Sequence, residues 1–524
     1  MTRRLDRRAF LRRSFSTVGA SLAASRLSGQ APAIVKREGT RIALPYGVAS
    51  GDVTTDRAVI WSRADRPARM FVEYSTTERF DNVRRVRGPA ALESSDFTAR
   101  LVLKDLPAGQ RIFYRVVFQD LGDLKSWSEP ASGSFATAET KLSRSVKIMW
   151  SADTVGQGWG INPEWGGLKL YEPMLAAGPD VFIHCGDTIY ADQHLPPEIT
   201  LDDGRVWRNV VTDAKSKVAE TLDEFRGNYL YNLQDAGMRA FNARVPQVVL
   251  WDDHEVRDNW YPTRDLSADK RYGVKSVALL AARANQAFRE YHPIAIDGDD
   301  PERIHRVVPY GPLVDVFCLD MRSYRSANSE NRQRELTETS ALLGPGQVDA
   351  LKARLAASRA AWKVIASDMP VGLVVRDGPS HYEAVANADD GPPLGRELEI
   401  AGLLRFIKER RIRNVVWITG DVHYCAAHYY NPASARFTEF DPFWEFVAGP
   451  LHAGTFGPGT LDPTFGPEVK FTGIPAGMKP NRPPSDGFQF FGTLTIDART
   501  RALTARLHDL AGRELYKQEL AAAR

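Results

Sequence analysis

From about residue 145 the chain alternates short apolar, β-branched runs with longer stretches of helical period. Six runs share one shape: 146–153 (VKIMWSAD), 181–187 (VFIHCGD), 248–253 (VVLWDD), 314–320 (VDVFCLD), 363–368 (KVIASD) and 415–421 (VVWITGD). Each reads as a buried strand that ends on an acidic residue. Between them, 167–177, 222–241, 275–291, 346–360 and 398–410 read as helices, with 277–291 carrying the clearest apolar period. The stretch before residue 140 has a different texture. Its runs 57–61, 68–74, 98–103 and 111–118 are short and divided by turn residues, the pattern of an immunoglobulin- or fibronectin-like β-sandwich. Further strand-like runs follow at 488–496 and 502–507, and long polar loops are expected around 192–206, 371–396 and 452–486. The expected organisation is a β-sandwich domain over 40–140 and an α/β domain over 145–524.

The repeated strand-end carboxylate is the chemical signal. In open α/β sheets ligands bind beyond the carboxyl ends of the strands. Several carboxylates gathered there would repel one another in a medium of reduced dielectric, so such a cluster calls for cations. Gly186-Asp187 ends one run with a glycine that lets backbone approach a ligand. Residues 251–255 (WDDHE) set two carboxylates beside a histidine, and in 420–423 (GDVH) Asp421 and His423 share a face of an extended segment. Hard oxygens plus imidazole suit Fe, Mn, Zn, Mg or Ca.

Composition narrows the field. The 524 residues are 43% hydrophobic and 25% charged, enough for a sizeable core, and the formal charge of +3 gives no footprint for nucleic acid. No apolar run is long enough for a stable membrane span. Cys185, Cys318 and Cys425 are too few for a disulfide framework and read as small buried residues. The charge is uneven: residues 1–33 carry seven Arg and one Asp, leaving the remainder weakly acidic. In that segment 6–12 (DRRAFLR) is a twin-arginine pattern, followed by small apolar residues and an Ala-Pro-Ala cleavage candidate at 31–33. Residues 1–33 are therefore expected to be a Tat signal peptide, the twin-arginine translocase a partner, and the location periplasmic or secreted.

The order of motifs resembles the alkaline phosphatase D (PhoD-like) family of calcineurin-like metallophosphoesterases. The resemblance is carried by 46–52 (YGVASGD), 58–63 (AVIWSR), 186–192 (GDTIYAD), 251–256 (WDDHEV), 319–325 (LDMRSYR), 343–347 (LGPGQ) and 420–423 (GDVH). It implies an αββα metallophosphoesterase sandwich preceded by the β-sandwich, two or more metal ions with calcium and iron the family's pair, and a phosphate ester substrate. It also implies that Asp187 bridges two metals, that Asp253 binds the second, that Asp421 and His423 complete the shells, and that His254 faces substrate. Well-known members place a cysteine after the first strand as an iron ligand; this chain has Asp153 there, a harder ligand. They also use a tyrosine from the helix before the third strand, for which Tyr231 is the nearest match, with Tyr229 and Asn232 as the alternatives.

The expected chemistry is hydroxide attack on phosphorus at a pair of cations about 3.5–4 Å apart. His254 would protonate the leaving oxygen, with Glu255 or Asp252 orienting its ring. Arg257 and Arg322 are candidate phosphate clamps, since guanidinium matches phosphate bidentately, with a buried ion pair as the other reading of Arg322. His428 and His452 lie near candidate site loops. The same centre would serve a phosphodiesterase, including one of phospholipase D type. A non-catalytic exported binding protein is disfavoured because the expected ligands are all present, and neither a Gly-x-Ser-x-Gly elbow nor a P-loop occurs.

Overall fold

Strands Val146–Ser151, Val181–Cys185 and Gln247–Leu250 lie side by side and parallel in a nine-stranded sheet, and Val314–Cys318, Trp362–Ala366 and Val415–Thr419 do the same in a seven-stranded one. These come from a computed structural model, which describes residues 41–523. The expected signal peptide lies outside the described residues. Side chains alternate along each strand, and that alternation builds the layers. Ile148, Trp150, Ile183, Cys185, Val248 and Leu250 of the first sheet share one core with Val314, Val316, Cys318, Val364, Ala366, Val416 and Ile418 of the second. The opposite faces bury helices. Val249 and Trp251 pack with Phe225, Leu280 and Phe288 from helices Leu222–Asn232 and Val277–Tyr291. Phe317, Ile365 and Trp417 pack with Leu351, Leu403 and Leu404 from Pro345–Ala357 and Glu397–Glu409. The result is an αββα sandwich. All three cysteines are buried and unpaired.

The residues before 140 divide between two sheets. Ala68–Ser75, Arg84–Ala91, Arg111–Asp120 and Ala131–Ala136 form a four-stranded sheet. Val48–Gly51, Ala58–Arg63 and Thr98–Leu103 pack across from it and also extend the nine-stranded sheet, where Gly51 lies opposite Gln247. One layer of the β-sandwich is thus continuous with the α/β body.

Helix boundaries follow local chemistry. The expected 222–241 helix is two. Thr221 and Glu224 form a reciprocal cap on the first, and the Asp235 carboxylate, accepting from the Met238 N–H at 2.8 Å, starts the second at Ala236. Among the described residues no helix is long and apolar enough to cross a membrane.

Candidate metal centre

The first sheet delivers Asp153, Asp187 and Asp253 just past three neighbouring strands, and the second delivers Asp421 and His423 past Val415–Thr419. Two glycines let the strand ends approach. A Cβ on Gly186 (φ +104°) would stand 2.5 Å from the Asp252 Cβ, and one on Gly420 would stand 2.2 Å from the Ala152 Cβ. Asp153, Asp187, Asp421 and His423 all adopt left-handed backbone, with φ of 65°, 53°, 66° and 59°. Asp and His tolerate that region better than most residues, and its concentration at one place is the mark of a functional turn.

Ligand atoms of Asp153, Asp187 and His423 lie within 4.8 Å of one another, as do those of Asp187, Asp253 and His254, and those of Asp252, Asp253 and Asp421. Asp187 is common to the first two groups and Asp253 to the last two. Asp153 is completely buried, and neither of its carboxylate oxygens has a hydrogen-bond partner. The Oδ1 atom of Asp253 is likewise unpartnered, while its Oδ2 accepts from the Asn259 N–H at 2.5 Å. Burial, with Asp421 adding repulsion, pushes the Asp153 carboxyl well above the usual range. Burial also pushes Asp187 well up, and it pushes Asp421 up to about 7 with help from Glu383 and Asp253. Asp253 is the exception: burial is outweighed by His254 and Arg322, which hold its carboxyl below the usual value. Burial lowers His423 to about 4, so its imidazole is neutral and able to bind a cation. Its Nδ1 donates to the Gly454 carbonyl, leaving Nε2, which accepts from the Tyr190 hydroxyl at 2.9 Å and lies 3.8 Å from Asp153.

Several expected roles move to other residues. Tyr231 is not at the centre. Its hydroxyl donates to the Val210 carbonyl at 2.8 Å and accepts from the Ile161 N–H at 2.9 Å, because the capped helix turns that position toward the 158–161 and 209–210 segments. The tyrosine that reaches His423 is Tyr190, three residues after Asp187. Arg322 is no phosphate clamp: it is fully buried, its Nε donates to Asp252 at 2.6 Å, and it pairs with Glu383 and, at 3.5 Å, with Asp368. Neither Asp252 nor Glu255 orients His254. Glu255 accepts from the Thr188 N–H and hydroxyl and from the Asp252 N–H, so it fixes the turn that carries Asp187. The partner of His254 is Asp192, whose Oδ1 accepts from Nδ1 at 2.7 Å, and the Tyr190 ring lies against the imidazole at 4.3 Å. Burial alone would lower the His254 pKa; Asp192, Asp253 and Asp187 outweigh it and raise it well above the ordinary value. Arg257 is buried near Asp269, at 3.7 Å. His428 is bound to Glu445 at 2.9 Å in the core, and His452 exchanges backbone hydrogen bonds with Asp153 and Val155. The 186–192 motif held the signal for Tyr190 and Asp192, but nothing in its spacing says which way either side chain turns.

The PhoD-like phosphatase family model matches residues 149–507, and the model of the PhoD-like phosphatase N-terminal domain matches 29–139. The chain belongs to the PhoD-like phosphatases. It is 28% identical over 445 residues to alkaline phosphatase D of Bacillus subtilis (strain 168), covering 80% of this chain and 71% of that protein. Its fold is that of a solved structure of PhoD (TM-score 0.66, 22% identity, 92% of this chain and 90% of that one). It is also that of the purple acid phosphatase PPD1 from yellow lupin (Lupinus luteus) seeds (TM-score 0.55, 13% identity, 92% and 74%). This PhoD-like phosphatase is a phosphoester hydrolase, and its buried acidic and histidine groups suit several metal ions.

Proposed function

We propose that this phosphatase is an exported, alkaline phosphatase D-like enzyme that hydrolyses phosphate esters by hydroxide attack at two or more bound cations. The observation that carries the reading is Asp153: a carboxylate with no exposed surface and no hydrogen bond, next to Asp187 and His423. A buried charge without a partner costs several kcal/mol, so this residue belongs with a cation. Asp153, Asp187, Tyr190 and His423 would hold one, and Asp187, Asp253 and Asp421 another. Oxygen donors with one neutral imidazole fit iron, manganese, zinc or calcium. Bound cations supply charge to offset the phosphoryl oxygens and the Lewis acidity that makes hydroxide available near neutral pH.

The chain's own groups supply the proton and the orientation. His254, its Nδ1 paired with the Asp192 carboxylate, would donate a proton from Nε2 to the leaving oxygen. Asp192 on Nδ1 fixes the ring, and the tilted Tyr190 ring packed against it limits its rotation. His254→Ala should keep its metal and lose about 10²-fold or more in turnover; a protein that loses its metal as well would make His254 a ligand instead.

The reading is tested by measuring metal content together with hydrolysis of p-nitrophenyl and bis-(p-nitrophenyl) phosphate. Metal-replete protein should cleave the monoester, and Asp187→Asn should lose both metal and turnover. Preference for the diester would assign the phosphodiesterase, and failure on both would reject the enzyme. Export is supported by the twin-arginine pattern at Arg7 and Arg8. Replacing both by lysine should strand the protein in the cytoplasm on fractionation; unchanged export would refute the address.

A further inference from the structure

Two long irregular segments, 371–396 and 452–486, meet near the start of helix Glu397–Glu409. They pair briefly there: the Val374 N–H donates to the Thr460 carbonyl at 2.9 Å and the Asp462 N–H to the Gly372 carbonyl at 2.8 Å. Two acids are buried at this junction, Glu397 at 1% and Asp462 at 2% exposure, and neither belongs to the metal centre. The Oε2 atom of Glu397 accepts from Asn387 Nδ2 at 3.0 Å and from the Leu394 N–H at 3.1 Å, but its Oε1 has no partner. The Oδ1 atom of Asp462 accepts from the Thr464 N–H at 2.8 Å, and its Oδ2 has none. The Thr464 hydroxyl, in a residue only 1% exposed, stands beside Glu397 and closes no well-formed hydrogen bond. Among the described residues no lysine, arginine or histidine forms an ion pair with either acid. Burial, with Asp462 adding repulsion, pushes the Glu397 carboxyl up to about 8.

Three hard oxygen donors are therefore buried together at this junction, and no cationic side chain among the described residues answers them. Two occupants could do so, a proton shared by the carboxylates or a cation. The hydroxyl favours the cation, because a cation answers all three oxygens at once, whereas a shared proton answers two and leaves the hydroxyl only its poorly formed contact with Glu397. We propose that Glu397, Asp462 and Thr464 form a structural site for a hard divalent cation of the calcium class, with backbone carbonyls or water completing the shell. The cation would clasp the two segments. One of them carries Glu383, which holds Arg322, so the clasp would steady the wall of the metal centre without touching it.

The test compares full-length wild type with Asp462→Asn, each stripped with chelator and reloaded with Ca2+ alone, by elemental analysis and thermal denaturation. The variant should bind one equivalent fewer per chain and lose part of the Ca2+-induced rise in Tm. After reloading with all metals its kcat should match wild type. Equal calcium stoichiometry in the two proteins would overturn the site. Should Asp462→Asn fail to fold, long-wavelength diffraction from wild-type crystals soaked in CaCl2 decides. An anomalous peak about 2.3–2.6 Å from Glu397 Oε1 and Asp462 Oδ2 supports the cation. A short carboxylate–carboxylate contact with no peak shows the shared proton and overturns it.

Discussion

Asp252 and Asp153 are both buried aspartates at the ends of parallel strands that flank Val181–Cys185 in one sheet, yet the chain treats them differently. Asp252 is gripped by Arg322, and Asp368 past a strand of the second sheet and Glu383 of the 371–396 segment meet the same guanidinium, with Arg325 closing on Glu383 at 3.0 Å. Asp153 meets Asp187, Asp421 and His423 and receives no arginine or lysine at all among the described residues. A buried acid answered by arginine is a fixture of the fold, whereas one left to face other acids marks a place for an external cation. Asp253 stands on the border, bent toward Arg322 by charge and toward Asp187 and Asp421 by position.

The contrast breaks first at Arg322. Arg322→Met leaves Asp252, Asp368 and Glu383 buried with too little positive charge, and should cost about 3–5 kcal/mol of stability. Denaturant unfolding measures it. A clamp on phosphate would behave otherwise, with stability intact and KM raised; that outcome would restore the role expected from sequence.

Removing the metals sharpens the other side. Asp153, Asp187 and Asp421 have folded-state values raised above the unfolded ones, Asp421 to about 7. The folded chain therefore holds more protons than the unfolded chain between the ordinary carboxylate range and about pH 7. Stability of the chelator-stripped protein must then fall as pH rises through that window. Tm of the stripped protein at pH 5, 6, 7 and 8 should fall steadily, and the gain on restoring metal should grow with pH. A Tm that is flat, or that rises with pH, would mean the carboxylates are already neutralised by the chain.

How much of this was legible in the sequence follows from what kind of contact each feature needs. The strand-end acids were legible because an apolar run closed by aspartate is a local pattern, and all six runs end where sheet gives way to loop. Which acids would be paired was not. Arg322 lies 70 residues from Asp252 and 61 from Glu383, and only the packing of the two sheets and of the 371–396 segment joins them. The partner of His254 was missed for the same reason, since Asp192 is 62 residues upstream while Glu255 is adjacent and turns away to Thr188. Strands such as Ala426–Tyr430 and Phe443–Val447 were not foreseen either, because they lie among long loop sequences and take their order from pairing: Phe443–Val447 on Val415–Thr419, and Ala426–Tyr430 on Phe443–Val447.

The smallest expected effect on catalysis separates two tyrosines. Tyr231 and Tyr190 are both completely buried, so burial cannot say which serves the centre; their hydroxyl partners can. The Tyr231 oxygen is spent on backbone, and Tyr231→Phe strands the Ile161 N–H, at a cost of about 1–3 kcal/mol in stability. Metal content and turnover at a temperature well below unfolding should stay as in wild type. The Tyr190 oxygen instead contacts His423 Nε2, and its ring lies against His254, so Tyr190→Phe keeps the ring contact and removes only the hydroxyl. If that hydroxyl serves the centre, this variant loses metal affinity or turnover while its unfolding free energy changes less than that of Tyr231→Phe. The reverse pattern, a silent Tyr190→Phe and a metal-poor Tyr231→Phe, would mean that the helix Leu222–Asn232 turns its tyrosine inward once cations are present. The two variants therefore decide whether the arrangement of oxygens around Asp153 is the one that binds metal.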